Sequence, residues 1–500
     1  MTGLPHSLYR AAQVRELDRR AIEEHGIPGY TLMTRAGAAA YACVRRRWPE
    51  ARRIVVLCGA GNNGGDGYVL ARLARQDGLA VSVAQLGETD RLGPDARRAR
   101  EAWLDAGGTA QPYGAGVTER GDVLVDAVFG TGLQRDVQGT WAEAIEAINR
   151  SARPVLALDV PSGLDADRGS VLGTAVRAAA TVTFIGLKQG LFTAQGPDAC
   201  GDILFDDLQV PNDIYLGMAP SASRISHDIL PSLLPERAPS SHKGRNGHVL
   251  VIGGDHGMMG AALMAGEAAA RVGAGLVSVA THPQHAPLLA TVRPELMGHG
   301  VSGPTDLEPL LRRASVIALG PGLGQSRWAQ LLLARALDSR LPLVVDADAL
   351  NLLAHEPVAR GNWILTPHPG EAGRLLGCSA AEIQCDRFAA LDALVDAFQG
   401  VCVLKGAGSL VHAPGAGVHL CDAGNPGMAS GGMGDVLTGV IAGLLAQGLD
   451  LEDAARAGVY VHAAAGDAAA RRGGMRGLLA TDLLAELRRL VNPLVKEAGS

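Results

Sequence analysis

Two glycine-rich segments carry the residue types best suited to chemistry. GAGNNGGDG at 59–67 sets Asn62, Asn63 and Asp66 among glycines, and NPGMASGGMGDVLTG at 425–439 places Gly431, Gly432 and Gly434 before Asp435. Glycine lets a ligand approach the backbone closely, and the free N–H groups of a helix's first turn attract anions. In the first segment the two amides add side-chain oxygens and donors able to recognise phosphate or a cation. In the second, an acid at the tip of an anion-binding turn can take a hydroxyl proton as a phosphoryl group is transferred. No GxxxxGK[ST] occurs in the chain, so this turn is not a Walker A loop.

GAGNNG also satisfies GxGxxG, and Glu88 follows at a spacing suited to a ribose hydroxyl, which admits a nicotinamide-dependent dehydrogenase. That assignment leaves Asp126, Asp159 and Ser162 without a task. Two acids, an amide and a hydroxyl above one sheet suit a monovalent cation or an acid/base site better than hydride transfer. The plainer alternative is that Asp126 and Asp159 cap strand ends. Most lysines are solvated, but Lys188 sits between Gly186 and Gly190, a setting that favours a site role. In the second half His368 lies between Pro367 and Pro369, outside any regular helix, and Asp346 and Glu371 stand at strand ends.

The elements that must position these residues alternate. Strands are predicted at 52–59, 79–87, 122–132, 153–165 and 180–186, with helices at 8–24, 30–47, 66–76, 94–106 and 141–148. The second half predicts strands at 247–255, 276–282, 315–324, 341–350 and 363–371, then a hairpin over 401–415 bending at Gly406 and Gly408. Helices are predicted at 258–272, at 328–337 and from about Asp435. Such alternation implies mostly parallel sheets with ligands at the strand carboxyl ends. Five hundred residues exceed one ordinary core, and Pro211, Pro220, Pro231, Pro235 and Pro239 crowd the stretch 205–240. Domains are therefore expected over 1–220 and 225–500, with a short element possible at Asp228–Leu234.

A net charge of −6 and 4% aromatic residues argue against nucleic acid or an anionic membrane as partner. The seven cysteines form no CxxC pair, so a thiolate zinc site has no support, and Cys58 and Cys402 fit buried apolar strands. No apolar run of membrane-spanning length and no basic-then-apolar leader is evident, so a cytoplasmic protein is expected.

Four segments of the first half, GAGNNGGDG, DAVFGTG (126–132), LDVPSGLDAD (158–167) and TFIGLKQGL (183–191), together resemble the epimerase domain of bifunctional NAD(P)H-hydrate repair enzymes. KGRNGHVLVIGG (243–254), GPGLG (320–324), TPHPGE (366–371), LKGAGS (404–409) and NPGMASGGMGD (425–435) resemble the dehydratase domain of the same family. The resemblance implies an α/β fold throughout: a Rossmann-like three-layer N-terminal domain and a ribokinase-like C-terminal domain. It implies epimerisation of the R and S hydrates of NADH and NADPH, then nucleotide-dependent dehydration of the S epimer.

In the first domain it implies that Asn63, Asp126 and Ser162 hold K⁺. Hydrated dinucleotide would contact Gly61, Asn62, Asn63, Gly64, Gly130, Thr131, Gly132, Lys188 and Asp159, the last as catalytic acid/base. In the second, nucleotide would contact Lys405, Gly406, Ala407, Gly408, Ser409 and Gly434, and the hydrate would contact Ala262, Gly322, His368 and Asp435. Asp435 would be the base that activates the C6 hydroxyl for phosphorylation, and phosphate elimination would follow. ADP as donor, giving AMP and phosphate, Mg²⁺ and a homo-oligomer are further implications. Met433 stands where the ribokinase-like anion hole more usually has a small residue, with its side chain expected to point away. A small-molecule kinase acting on a pyrimidine or thiazole alcohol would use Asp435 equally well but leave the first cluster idle. A non-catalytic cofactor-binding protein would bind dinucleotide yet tolerate loss of Asp159 and Asp435.

Overall fold

The computed structural model describes residues 3–492, and the chain divides into two compact units between Ser223 and Arg224. The first unit holds a parallel sheet ordered Ala110–Pro112, Ala80–Gln85, Arg53–Cys58, Val123–Ala127, Val155–Leu158, Ala180–Phe184, Asp202–Asp206. The central strands are apolar on both faces, as a covered parallel sheet requires. Ile54, Val56 and Cys58 face one core, with the helices Ala11–Glu23 and Gly29–Arg47, while Val55 and Leu57 face a second with the helix Thr140–Arg150. Helix, sheet and helix make the expected three layers. Strand order reverses between Arg53–Cys58 and Val123–Ala127, the switch point at which such sheets open a cleft.

Two differences from expectation matter for that cleft. The helix predicted from Asp66 begins at Asn62 and runs to Gln76. Its opening NNGG has poor helix propensity, which hides it in the sequence. Packing demands it nonetheless, because a Cβ at Gly64 would collide with the Gly59 carbonyl. The helix predicted from residue 8 begins at Ala11, because Ser7–Tyr9 is a short strand pairing in parallel with Leu187–Lys188. The strand Asp202–Asp206, half-buried at the sheet edge, was hidden because its apolar run is only Ile203–Phe205 between two acids.

In the second unit the described strands run Met297–Gly300, Leu276–Thr281, His248–Ile252, Val316–Leu319, Leu343–Val345, Trp363–Leu365, Val401–Leu404, Ser409–His412, Val418–Cys421. They are parallel as far as Val401–Leu404, and the last two are antiparallel, the first of them completing the predicted hairpin. The strand predicted over 341–350 stops at Val345, and the helix Ala347–His355 follows at once with Asp346 as its N-cap. Likewise the strand Trp363–Leu365 gives way to the helix Pro369–Leu376, whose first residue is a proline with its φ preset for helix. The helix Met433–Ala446 is buried nearly all round and packs against Met259–Arg271 through small residues such as Gly439, Ala265 and Ala269. Met433 turns its side chain into the core. The short element in 228–234 is the helix Leu230–Leu233. The helices Leu451–Gly473 and Ala480–Leu490 complete the described residues of this unit.

Candidate functional site

The first unit's cleft is a cavity of ≈ 550 Å³ whose lining includes Asn62, Asn63, Gly130, Thr131, Asp159 and Lys188. Beneath it Asn63, Asp126 and Ser162 meet around Phe129. Ser162 donates to Asp126 through its N–H at 2.8 Å and its Oγ–H at 2.6 Å, and its Oγ accepts from the Phe129 N–H at 2.8 Å. Asn63 Nδ2 donates to the Phe129 carbonyl at 2.9 Å, which leaves Asn63 Oδ1 buried without a partner among the described residues. Burial pushes Asp126 up to about 6, against the pull of the Ser162 and Val128 donors. A buried oxygen without a donor calls for a water or an ion. Amide, carboxylate, hydroxyl and carbonyl oxygens together suit a hard monovalent cation. Among the described residues no group of three or more His, Cys, Asp or Glu side chains is placed to hold a metal.

Asp159 follows the strand Val155–Leu158 with φ +64°. Aspartate is among the side chains that tolerate this left-handed conformation, at a cost of about 1 kcal/mol. The turn aims the carboxylate into the cavity, where its Oδ1 pairs with Lys188 Nζ and accepts from Thr183 Oγ1 at 3.2 Å and Phe184 N at 3.3 Å. Lys188 is fully buried and also donates to Thr183 Oγ1 at 3.0 Å and the Phe184 carbonyl at 2.9 Å. A Cβ on Gly130 would lie 3.6 Å from both Asn63 and Asp159, so this turn borders the oxygen nest and the ion pair alike. Gly61 caps the helix that carries Asn62, Asn63 and Gly64.

In the second unit Lys405 Nζ bonds Asp346 Oδ1 at 2.6 Å and lies 3.6 Å from Glu371, while Thr438 Oγ1 donates to Asp346 Oδ2 at 2.8 Å. Burial opposes both charges, but each favours the other: Asp346 stays below its ordinary value and Lys405 above its own. A Cβ on Gly434 would sit 3.2 Å from Asp346 Oδ2 and 3.3 Å from Lys405 Nζ, which brings the helix start against the pair. Asp435, in the first turn of that helix, is pushed up to about 7 by burial and by the Asp346 charge, with Lys405 pulling the other way.

Lys405 to Ser409 form the hairpin bend, with Gly406 and Ala407 exposed. Arg387, fully buried, holds that bend from below. Its guanidinium donates to the carbonyls of Leu404 at 3.1 Å, Lys405 at 3.3 Å and Gly408 at 3.3 Å. Burial lowers Arg387 to about 10, still cationic at neutral pH. Ala262 is buried beside Gly254. Gly322 reaches the same turn, its carbonyl accepting from Asp255 N at 2.7 Å and its φ of +57° met by glycine. His368 has a local job: its Nδ1 accepts from Gly370 N at 2.9 Å, and Glu371 reaches back to the His368 N–H at 2.8 Å. This capping box leaves the ring half exposed.

The structure thus brings Asn63, Asp126, Ser162, Gly130, Asp159 and Lys188 together in the first unit and Asp346, Glu371, Lys405, Gly434 and Asp435 in the second, with Ala262 and Gly322 at the separate Gly254 turn. Sequence reasoning noted Asp66 beside the two amides without giving it a task, and it missed Asp18 and Thr183 in the first cluster and Arg387 and Thr438 in the second. Asp18 and Arg387 carry no sequence signal, because charged residues on helices read as solvated. Asp66, Thr183 and Thr438 lie inside the motifs, where proximity to the glycines was the available clue.

Residues 249–489 match the NAD(P)H-hydrate dehydratase family, and residues 29–190 match the family of YjeF-related protein N-termini. The chain is 52% identical to a bifunctional NAD(P)H-hydrate repair enzyme of Coxiella burnetii, over 97% of this chain and 99% of that one. It is 46% identical to the Escherichia coli enzyme of the same description, over 99% and 96% of the two chains. A solved ribokinase-like superfamily protein of Enterococcus faecalis matches 54% of this chain and 95% of its own at 29% identity, with a TM-score of 0.50.

Proposed function

Since the chain belongs to the bifunctional NAD(P)H-hydrate repair enzymes, and so is both an isomerase and a dehydratase, we propose a division of labour. The first unit interconverts the R and S hydrates, and the second returns the S hydrate to NADH or NADPH with ADP as phosphoryl donor, releasing AMP and phosphate. The observation that carries this is the pair of separate acid sites, Asp159 with Lys188 in one unit and Asp435 beside Lys405 and Asp346 in the other.

In the epimerase site the dinucleotide lies along the 59–64 and 130–132 turns, and Asp159 serves as acid/base at the oxygen on the hydrated carbon while Lys188 fixes its carboxylate. Asn63, Asp126 and Ser162 hold K⁺, and the unpartnered Asn63 Oδ1 supports that assignment. Bound by these residues, the ion would supply positive charge to the site.

In the dehydratase site ADP contacts Lys405, Gly406, Ala407, Gly408, Ser409 and Gly434. The hydrate contacts Ala262, Gly322, His368 and Asp435. Asp435 takes the C6 hydroxyl proton, and a value near 7 suits a base that must both accept and release it at neutral pH. The first-turn N–H groups after Gly432 and the Lys405 ammonium receive the phosphoryl oxygens. Phosphate then leaves in place of hydroxide. Mg²⁺ bound with the nucleotide would neutralise phosphoryl oxygens. A cytoplasmic location accords with the seven cysteines all being free thiols.

The test is recovery of dihydronicotinamide absorbance from a mixture of hydrated NADH epimers incubated with the full chain, K⁺, Mg²⁺ and either ADP or ATP. Complete recovery with ADP, faster than spontaneous epimerisation, is expected. No recovery with either nucleotide would overturn the dehydratase assignment.

A further inference from the structure

The first unit's pocket holds a carboxyl that the chemistry above does not use. Asp18, on the helix Ala11–Glu23, lines the same cavity as Asp159 and Lys188. Two contacts fix that helix over the site. Tyr9 pairs with Lys188 in the short parallel ladder, and the Ala11 N–H donates to Asp167 Oδ1 in the 158–167 loop at 2.6 Å.

Among the described residues Asp18 has no hydrogen bond or ion pair of its own. Burial is the larger influence and pushes it up to about 6; the Asp159 charge adds to that, and Lys188 opposes it. Asp66, across the pocket on the helix Asn62–Gln76, is raised well above its ordinary value, mainly by burial and in part by Asp159 and Asp18. Arg15 also lines the pocket and is drawn to the Thr131 carbonyl at 3.3 Å. The cavity therefore presents carboxyls from different elements in different settings, one ion-paired to a buried lysine and one without a cation of its own.

Resting on the epimerase reading of this unit, we propose that Asp18 is a second catalytic carboxyl: it gives a proton to the hydroxyl leaving the hydrated carbon, and Asp159 takes one from the water that returns. Inversion at a carbon bearing both a hydroxyl and the ring nitrogen proceeds by breaking and remaking the C6–O bond. Asp18 in its acid form protonates the hydroxyl, the bond breaks, the nitrogen lone pair forms N1=C6, and water departs. Water then adds to the opposite face of C6, the N1=C6 electron pair returns to nitrogen, and the excess proton passes to Asp159. One water leaves and one enters, one proton moves from Asp18 to Asp159, and nothing is oxidised or reduced. The exchanged state is the starting point for the reverse epimerisation.

The test follows epimer interconversion of hydrated NADH by the full-length chain and its Asp18→Asn and Asp18→Glu variants. Asp18→Asn should lower kcat about 10²-fold with KM little changed. Because Asp18 acts in its acid form, the wild-type rate should fall as pH rises past about 6; that limb should vanish in Asp18→Asn, and Asp18→Glu should restore both rate and limb. Dehydration of purified S hydrate with ADP should stay at the wild-type rate in both variants, which reports an intact chain. If the wild type fails to accelerate interconversion, the epimerase reading falls and this inference with it. If the wild type accelerates it and Asp18→Asn keeps its kcat and pH profile, or loses rate through KM alone, only the inference is overturned.

Discussion

Both units set a lysine–aspartate pair at the carboxyl ends of a parallel sheet, and they use it oppositely. In the first, Lys188 pairs with Asp159 itself, the residue proposed to exchange protons. In the second, Lys405 pairs with Asp346, and the proposed base Asp435 stands beside the pair at about 7. A cation bonded to the reacting acid fixes where its charge sits. A cation bonded to a neighbour leaves a second acid to titrate near neutrality, while the ammonium remains available to phosphoryl oxygens. The same ion pair therefore marks two chemistries, and which carboxylate it engages is the informative detail.

The largest effect expected from breaking that contrast is at Asp435. Asp435→Asn keeps the size of the side chain and removes the proposed base, so dehydration of the S hydrate in the presence of ADP should fall about 10³-fold, measured by dihydronicotinamide absorbance. Epimerisation should be untouched. A comparable loss of both activities would mean that Asp435 supports the fold rather than one reaction.

Asp159→Asn should do the reverse, with a loss of about 10²-fold in epimer interconversion and none in dehydration of S hydrate. In a mixed substrate the S fraction would recover quickly and the R fraction only at the spontaneous rate. Lys188→Met sharpens the point: it strips the carboxylate of its cation inside a buried pocket, so epimer interconversion should slow while dehydration of S hydrate is unchanged. An unchanged rate of interconversion would show that the buried ammonium does not hold the acid in its working position.

How much of this was legible in the sequence differs between the two kinds of residue. A Cβ at Gly59 would strike the Val128 carbonyl and one at Gly64 the Gly59 carbonyl, so the glycine pattern reports backbone contact directly. Asp126 and Asp159 were visible because they end apolar strands, the place where a parallel sheet collects its ligands. Asp18 and Arg387 were invisible because burial, which gives each its role, comes from distant packing. Asp18 is drawn over the pocket by the ladder between Ser7–Tyr9 and Leu187–Lys188. Arg387 opens the helix Arg387–Phe398, where an arginine ordinarily faces water, yet it lies beneath the 404–409 bend. His368 shows the converse: flanking prolines marked it as unusual, and the structure accounts for them as a helix start.

Arg387 yields an intermediate prediction. Arg387→Met leaves the Leu404, Lys405 and Gly408 carbonyls without their buried donor, at a cost of about 1–3 kcal/mol for each group left unsatisfied. Thermal unfolding should show reduced stability, and KM for ADP should rise about tenfold with a smaller change in kcat, since the bend rather than the base is disturbed. Equal KM values would show that the bend keeps its shape without the guanidinium.

The smallest effect separates the roles of the Lys405 pair most cleanly. With Asp435 as the proposed base, dehydration should rise with pH as it ionises, with a midpoint near 7. Asp346 raises that value and Lys405 lowers it. Asp346→Asn removes the repulsion and frees the ammonium to favour the Asp435 carboxylate, so the midpoint should move to lower pH by roughly one unit. Lys405→Gln removes the attraction, and the midpoint should move up. Opposite shifts from the two halves of one ion pair, read in kcat against pH, would tie the pair to the base. Shifts of the same sign would place the titration elsewhere and dissolve the contrast between the two units.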